Sequence, residues 1–121
     1  MPDEPPPPQE FLRTVLIDAL KIGASEVSVE GMDRDANGQN VLVIYRKEDQ
    51  LINRTLDLPY LSQSALVTVA KIWAKLDISE RVQPQSGRAK VKLGERIFDL
   101  EVTTSPGAIG ERLVILIQSG Q

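Results

Sequence analysis

Two alternating runs in the last third of the chain narrow the choice of fold more than anything else in the sequence. Residues 88–93 alternate basic with apolar side chains, and residues 96–104 alternate apolar with acidic or hydroxyl side chains. A period of two places every second side chain on the same face of a strand. Gly94-Glu95 between the runs predicts a two-residue hairpin turn with glycine first. The pair therefore predicts an antiparallel hairpin with one buried and one solvated face.

Four other segments have the composition and spacing of strands. They cover residues 25–31, 41–47, 51–58 and 111–118. The segment 41–47 is apolar on both faces, which predicts a position in the centre of the sheet. Asn37-Gly38 lies between the first two segments and residues 48–50 between the second and third, so both connections predict hairpins.

Two segments have helical spacing instead. The first helix is predicted over residues 9–22, and Gly23 follows it as a C-terminal stop. The second is predicted over residues 61–75. The apolar stripe of the first contains Leu12, Val15, Leu16, Ala19 and Leu20. The stripe of the second contains Leu66, Val69, Ala70, Trp73 and Leu76, and it is widened by Val67, Ile72 and Ala74.

The order of elements is helix, three strands, helix, three strands. Short connections favour antiparallel pairing within each trio, and one layer of helices on one sheet buries these faces economically. The sequence therefore predicts a two-layer α+β domain with an antiparallel or mixed sheet of about six strands. We expect residues 1–8, which hold five of the eight prolines, to be a disordered tail and residues 9–121 to be a single domain.

Charge and residue usage exclude several classes of function. The net charge is -3, whereas proteins that bind nucleic acid are usually basic, so we expect no nucleic-acid partner. The chain has no cysteine and no histidine, which removes thiolate metal sites and the commonest general base. No apolar run approaches the length of a membrane span. An acidic, proline-rich start is unlike a secretory signal, so we expect a cytoplasmic protein without membrane insertion.

The motifs of known catalytic sites are missing. No phosphate-binding glycine loop and no Ser-x-x-Lys motif occurs in the sequence. Asp77 and Glu80 form a carboxylate pair, but their setting beside Arg81 in a polar turn favours a loop at the end of a helix. We therefore predict that the chain is not an enzyme and needs no cofactor.

One segment resembles half of a calcium-binding loop. Asp33, Asp35 and Asn37 alternate and are followed by Gly38, as in D-x-D-x-N-G. The second half of the loop fails, because Ile44 stands where a bidentate glutamate is needed. Asp, Asn and Gly are also the residues of hairpin loops. The sequence leaves both interpretations open and favours the hairpin, with no metal site.

Four motifs in order carry a resemblance to a known family. Residues 23–30 read G-A-S-E-V-S-V-E, where the family has G-A-S-D-I-H-I-E. Residues 76–88 contain L-D-I-S-E-R and P-Q-S-G-R, similar to M-D-I-A-E-R-R-x-P-Q-D-G-R. Residues 99–104, D-L-E-V-T-T, resemble D-L-R-V-S-T, and residues 110–116, G-E-R-L-V-I-L, resemble G-E-R-V-V-L-R. The segment from about Ala24 to Ile117 thus resembles the domain that precedes the nucleotide-binding core in the hexameric ATPases of type II secretion and type IV pili.

The resemblance implies a PAS-like fold and a place for arginines near a triphosphate held by the nucleotide-binding core. Arg88 and Arg112 keep basic positions of the family motifs, so the resemblance implies nucleotide contact for them. Glu101 and Leu116 replace family arginines, and Ser28 replaces the family histidine. A glutamate would repel a triphosphate, so the surface that faces the nucleotide in the family is altered here.

Three functions remain open at this point. The first is a non-catalytic interaction or regulatory domain that docks on a pilus or secretion ATPase or another protein complex. The second is the N-terminal domain of a complete motor ATPase, in which arginines contribute to ATP turnover. The third is a PAS-like sensor of a small ligand. For the first, the expected interaction surface consists of Asp77, Glu80, Arg81, Gln85 and Arg88.

Overall fold

The structure is a computed structural model that describes residues 7–31, 40–57, 63–107 and 110–118. The loop with Asp33, Asp35 and Asn37, and most of the proline-rich start, lie outside these residues, so the calcium and tail predictions are not tested. All the predicted helices and strands are present within the described ranges, with small differences in their ends.

Within the described ranges, two helices form one layer. Helix α1 is Pro8–Ile22, and helix α2 is Gln63–Trp73. Helix α1 begins with Pro8, one residue earlier than predicted. Proline is tolerated in the first turn of a helix, because the N–H that it lacks would have no partner there. Gly23 ends α1 in the left-handed conformation with a φ of 90°, as its place in the sequence predicted.

The described residues form six strands in one sheet. They are β1 Glu26–Gly31, β2 Asn40–Lys47, β3 Gln50–Asp57, β4 Gln85–Leu93, β5 Arg96–Pro106 and β6 Glu111–Gln118. Their order across the sheet is β3-β2-β1-β6-β5-β4, and all neighbours are antiparallel. Each trio is a meander of hairpins, and the sheet is completed where the first strand pairs with the last. The fold is α+β, as the sequence predicted.

The predicted central position of β2 is wrong. It lies second from the edge, between β1 and β3, and the centre of the sheet is the pair β1 and β6. The apolar residues on its second face, Leu42 and Ile44, are half-buried on the side of the sheet away from the core. Periodicity shows that a strand is apolar on both faces, but it does not show which strands stand beside it.

The core lies between the helices and one face of the sheet. Leu12 and Leu16 of α1 and Leu66 of α2 are fully buried there against Val27, Val29 and Ile115 of the central strands. The remaining buried apolar residues line the same space: Val15, Ala19, Ala24, Val41, Val43, Tyr45, Val67, Ala70, Ala74, Ala89, Val91, Leu93, Phe98, Leu100, Val102 and Leu113. Ile72 is an exception to the predicted stripe, because it is 58% exposed on the outer side of α2.

Candidate functional site

The face of the sheet opposite the helices, here called the open face, carries the residues that the resemblance singled out. The strand register places Arg46, Glu26, Leu116, Glu101 and Arg88 directly across five neighbouring strands in a single row. Glu101 and Leu116, the two positions where the family has arginine, are therefore immediate neighbours of each other, and Glu101 lies between Leu116 and Arg88. The row reads cation, anion, apolar, anion, cation.

Arg88 lies at the outer end of this row on β4. Its side chain is exposed, and the facing residue on β5 is Glu101. Among the described residues no ion pair of Arg88 is formed within 4.0 Å. Arg88 also lines a depression of about 320 Å³ with Ala89, Lys90, Asp99 and Gln118. Its guanidinium is therefore available to an external carboxylate or phosphate.

Arg112 has a different setting, since it is held by its own chain. Its Nε lies 3.3 Å from Glu30 Oε2, and its Nη2 donates a hydrogen bond of 3.3 Å to Ser28 Oγ. The arginine side chain lies across Ser28, which is buried although it belongs to the open face. An incoming phosphate would have to compete with Glu30 for this guanidinium.

The segment between α2 and β4 is a turn organised by carboxylates. Asp77 Oδ1 accepts hydrogen bonds from the Ser79 hydroxyl at 2.6 Å and the Ser79 amide at 2.9 Å. Glu80 Oε2 accepts the amides of Val82 at 3.0 Å and Gln83 at 3.1 Å. These hydrogen bonds favour the charged carboxylates, so they lower the pKa of Asp77, mainly through Ser79, and the pKa of Glu80, mainly through Val82.

Gln85, the first residue of β4, joins the turn to this strand. Its Nε2 donates to the Asp77 carbonyl at 2.8 Å, and its Oε1 accepts the Asp77 amide at 2.9 Å. Arg81 is exposed farther along the turn and lines a depression of about 270 Å³ with residues of α2 and of the connection between β5 and β6. The turn is thus held by hydrogen bonds within the chain.

The predicted interaction surface is divided between two places in the fold. Asp77, Glu80, Arg81 and Gln85 lie in or beside the turn, whereas Arg88 points from β4 onto the open face. Gln85 and Arg88 are three positions apart in β4, so strand alternation turns their side chains to opposite faces. Arg88 is instead brought together with Glu101 and Leu116.

Sequence reasoning missed a buried ion pair behind the turn. Lys71 of α2 is 1% exposed, and its Nζ lies 2.8 Å from Glu111 Oε2 and 3.0 Å from Glu111 Oε1. The same ammonium group donates to the Glu80 carbonyl at 2.5 Å. Gln63 Nε2 donates to the Glu111 carbonyl. A signal for this burial was present, because Lys71 follows Val67 by four residues and precedes Ala74 by three, and both are on the apolar stripe.

Neither helix in the described part of the chain is long and apolar enough to cross a membrane.

Comparison with known proteins gives matches that agree with these motifs. The chain is 33% identical over 106 residues to the type II secretion system ATPase E of Vibrio cholerae. It is 32% identical over 113 residues to the type II secretion system protein E of Aeromonas hydrophila, and 32% identical over 110 residues to the type IV pilus assembly ATPase PilB of Myxococcus xanthus.

These matches cover most of this chain and a small part of each relative. They span 88%, 93% and 90% of the chain but 20%, 21% and 18% of the three relatives. The chain thus spans about a fifth of the length of the relatives it matches. The sequence profile of the family described as Type II/IV secretion system protein matches residues 3–121. The chain therefore belongs to the Type II/IV secretion system protein family.

Proposed function

We propose that this domain is a non-catalytic docking domain in the cytoplasm, which binds the ATPase part of a secretion or pilus machine through the open face of its sheet. The observation that carries the proposal is the row of Arg88, Glu101 and Leu116 on a sheet face that no described helix covers. In the family that the motifs resemble, these three positions are arginines that approach a bound triphosphate.

The chemistry of the row supports docking to protein rather than direct nucleotide binding. Two of the three positions no longer carry a cation, and Arg112 nearby is engaged by Glu30. A surface that mixes Arg88, Glu101 and the half-buried apolar side chain of Leu116 is typical of a contact between proteins, which combines an apolar centre with charged rims. The domain would thus use the same face as the family but recognise a protein surface there.

The test is a binding measurement between this chain and a secretion or pilus ATPase of the source organism, produced without the stretch that this chain matches. We expect saturable binding that weakens about tenfold or more in Arg88→Glu, because a charge reversal at a contact leaves an unpaired, repelled charge. Lys21→Glu is the matched control, since Lys21 is exposed in the last turn of α1 on the helix layer. No binding by the unmodified chain, or equal losses in both variants, would refute docking through this face.

A second candidate function is favoured by the comparison, because this chain matches only about a fifth of the length of its relatives. In that case the domain works within a motor ATPase, and Arg88 contributes a charge during ATP turnover. An ATPase fused to this domain would then lose turnover in Arg88→Ala while keeping its affinity for the domain. Under the docking proposal the same change alters affinity first.

A further inference from the structure

The free edge of the sheet at β4 carries two features at the same residues. β4 is nine residues long, and of the described strands only β5 pairs with it. Arg88, Lys90 and Lys92 occupy alternate positions of β4, and all three side chains are exposed on the open face. Their spacing makes a basic stripe along an edge in a chain whose net charge is -3.

The backbone of these same residues points away from the sheet. Leu93 and Arg96 flank the two-residue turn at Gly94-Glu95, and residues that flank such a turn exchange both hydrogen bonds. Antiparallel pairs alternate between bonded and non-bonded, so Val91 and Ala89 bond to β5, whereas Lys92, Lys90 and Arg88 do not. The amide and carbonyl groups of Arg88 and Lys90 therefore face solvent at the edge.

Neighbouring side chains determine how much of the β4 edge is open to a partner. Arg13 of α1 donates a hydrogen bond to the Lys92 carbonyl at 3.4 Å, which closes one end of the edge and agrees with the outward direction of that carbonyl. Lys90 Nζ lies 3.6 Å from Asp99 Oδ1, an exposed pair that contributes little stability. The depression of about 320 Å³ runs from Arg88 and Lys90 across Asp99 to Gln118, so it lies over β5 and β6 and leaves the outer side of β4 unaffected.

We propose that the β4 edge binds an extended acidic segment of a partner protein as a seventh strand, with carboxylates at alternate positions opposite Arg88 and Lys90. Main-chain hydrogen bonds to the outward groups of these two residues give affinity, and the alternate carboxylates give register. This inference concerns a different surface from the docking proposal, since it uses the edge of the sheet rather than the row across its face, although Arg88 borders both.

Two other occupants are less compatible with the edge. A second copy of this chain would place the basic stripe of one β4 beside that of the other, and lysine on an edge strand opposes such pairing. A nucleic acid would use the cations but leave the outward amides of Arg88 and Lys90 without main-chain acceptors. An acidic strand satisfies the side chains and the backbone of the same residues at once.

The experiment uses a synthetic seven-residue peptide with glutamate at alternate positions and valine or threonine between them. Amide hydrogen exchange is followed by NMR with and without the peptide. In the free chain we expect fast exchange at Arg88 and Lys90 and slow exchange at Ala89 and Val91. On binding, we expect the exchange of Arg88 and Lys90 to slow by about tenfold or more, while Ala89 and Val91 stay unchanged as internal controls.

Two matched ligands decide between strand addition and simple charge attraction. The same peptide with alternate amides N-methylated keeps every charge but cannot pair, and we expect it to bind about tenfold more weakly. Equal binding by the methylated peptide would overturn the proposal, and so would a single-stranded DNA of equal charge that bound as tightly. Slow exchange at Arg88 and Lys90 in the free chain would also overturn it, because the edge would then already be paired.

A pair of variants tests the side chains. The double variant Arg88→Glu and Lys90→Glu should bind the peptide about tenfold or more weakly. Lys21→Glu changes the charge of the helix layer instead and should leave the affinity for the peptide unchanged. If both variants bind equally, the register of carboxylates on the basic stripe is refuted. Because the peptide replaces the ATPase in every arm, failure here is separate from failure of the docking proposal.

Discussion

Lys71 is the residue whose surroundings differ most from what its type suggests. A lysine is rarely fully buried unless its charge is paired, and here Glu111 supplies the opposite charge while the Glu80 carbonyl accepts a further hydrogen bond from the ammonium group. The ammonium group thereby joins three parts of the chain: α2, the turn before β4 and the start of β6. Through its hydrogen bond to the Glu80 carbonyl, Lys71 holds the turn that carries Asp77 and Glu80 against α2.

The first prediction concerns the loss of that anchor. Lys71→Met leaves the Glu111 carboxylate buried without its partner, and breaking a buried pair in this way costs about 3–5 kcal/mol. We expect the free energy of unfolding, measured by urea denaturation, to fall by that amount. The variant with both Lys71→Met and Glu111→Met has no unpaired charge, so it should recover most of the loss. A double variant as unstable as the sum of the two single variants would contradict the coupling.

The second prediction concerns the two carboxylates of the turn. Both have a lowered pKa in the folded protein because they accept hydrogen bonds. Their contribution to the stability of the turn is therefore complete above the ordinary carboxyl pKa. It is lost as the pH falls through the lowered values. We expect the amide resonances of Ser79, Val82 and Gln83 to move with midpoints below the ordinary carboxyl pKa.

Single amide variants separate the two carboxylates. Asp77→Asn should abolish the midpoint seen at Ser79 and leave those at Val82 and Gln83, and Glu80→Gln should do the reverse. Midpoints at or above the ordinary values in the unmodified chain would show that these carboxylates are not held by the turn. Both groups are on the surface, so the readout is the local resonance rather than global stability.

At the scale of elements, the contact between the end of α2 and β4 depends on the absence of a side chain. A Cβ built on Gly87 would lie 2.9 Å from the Ala74 carbonyl oxygen and 2.9 Å from Leu76 Cδ2. Gly87 belongs to the P-Q-S-G-R motif that carries part of the family resemblance. Its presence there has a packing reason, since only glycine lets the chain after α2 approach the strand so closely.

The third prediction follows from this approach. Gly87→Ala forces the backbone after α2 away from β4, and overpacking of this kind costs about 1–3 kcal/mol. Ser86→Ala is the matched control, because Ser86 is exposed on the open face one residue earlier and makes only a 3.4 Å contact with the Thr103 hydroxyl. We expect the control to change the free energy of unfolding by less than about 0.5 kcal/mol. Equal effects in both variants would refute the steric explanation.

The helices and strands were predictable from the sequence, but the pairing of distant strands was not. Periodicity identified both helices and all six strands, because an amphipathic face is written into each segment separately. The pairing of β1 with β6 joins residues far apart in the chain, and nothing local in Val27 or Ile115 encodes it. The position of Arg88 beside Glu101 was accessible, since the hairpin at Gly94-Glu95 fixes that register. The position of Leu116 beside Glu101 required the order of the whole sheet.

At the scale of the whole molecule, the two halves are held together by the central strands and by the common helix layer. Each half is a helix followed by a three-stranded meander, and β1 pairs with β6 at the boundary between them. Ile115 lies at this boundary, fully buried, with Val27 opposite on one side and Val102 on the other. Because the halves share one core, we expect them to unfold together.

The last prediction tests this unity through Ile115. Ile115→Ala creates a cavity where the two halves meet and should cost about 2–5 kcal/mol, whereas Ile97→Ala, on a side chain that is 57% exposed, should cost less than about 0.5 kcal/mol. Urea unfolding is followed by the fluorescence of Trp73, the single tryptophan of α2, and by far-ultraviolet circular dichroism, which reports the sheet as well. We expect the two transitions to coincide in the unmodified chain and to shift together in Ile115→Ala. Separate transitions would mean that the meanders are independent units, and docking through a row that crosses both of them would then lose its rigid support.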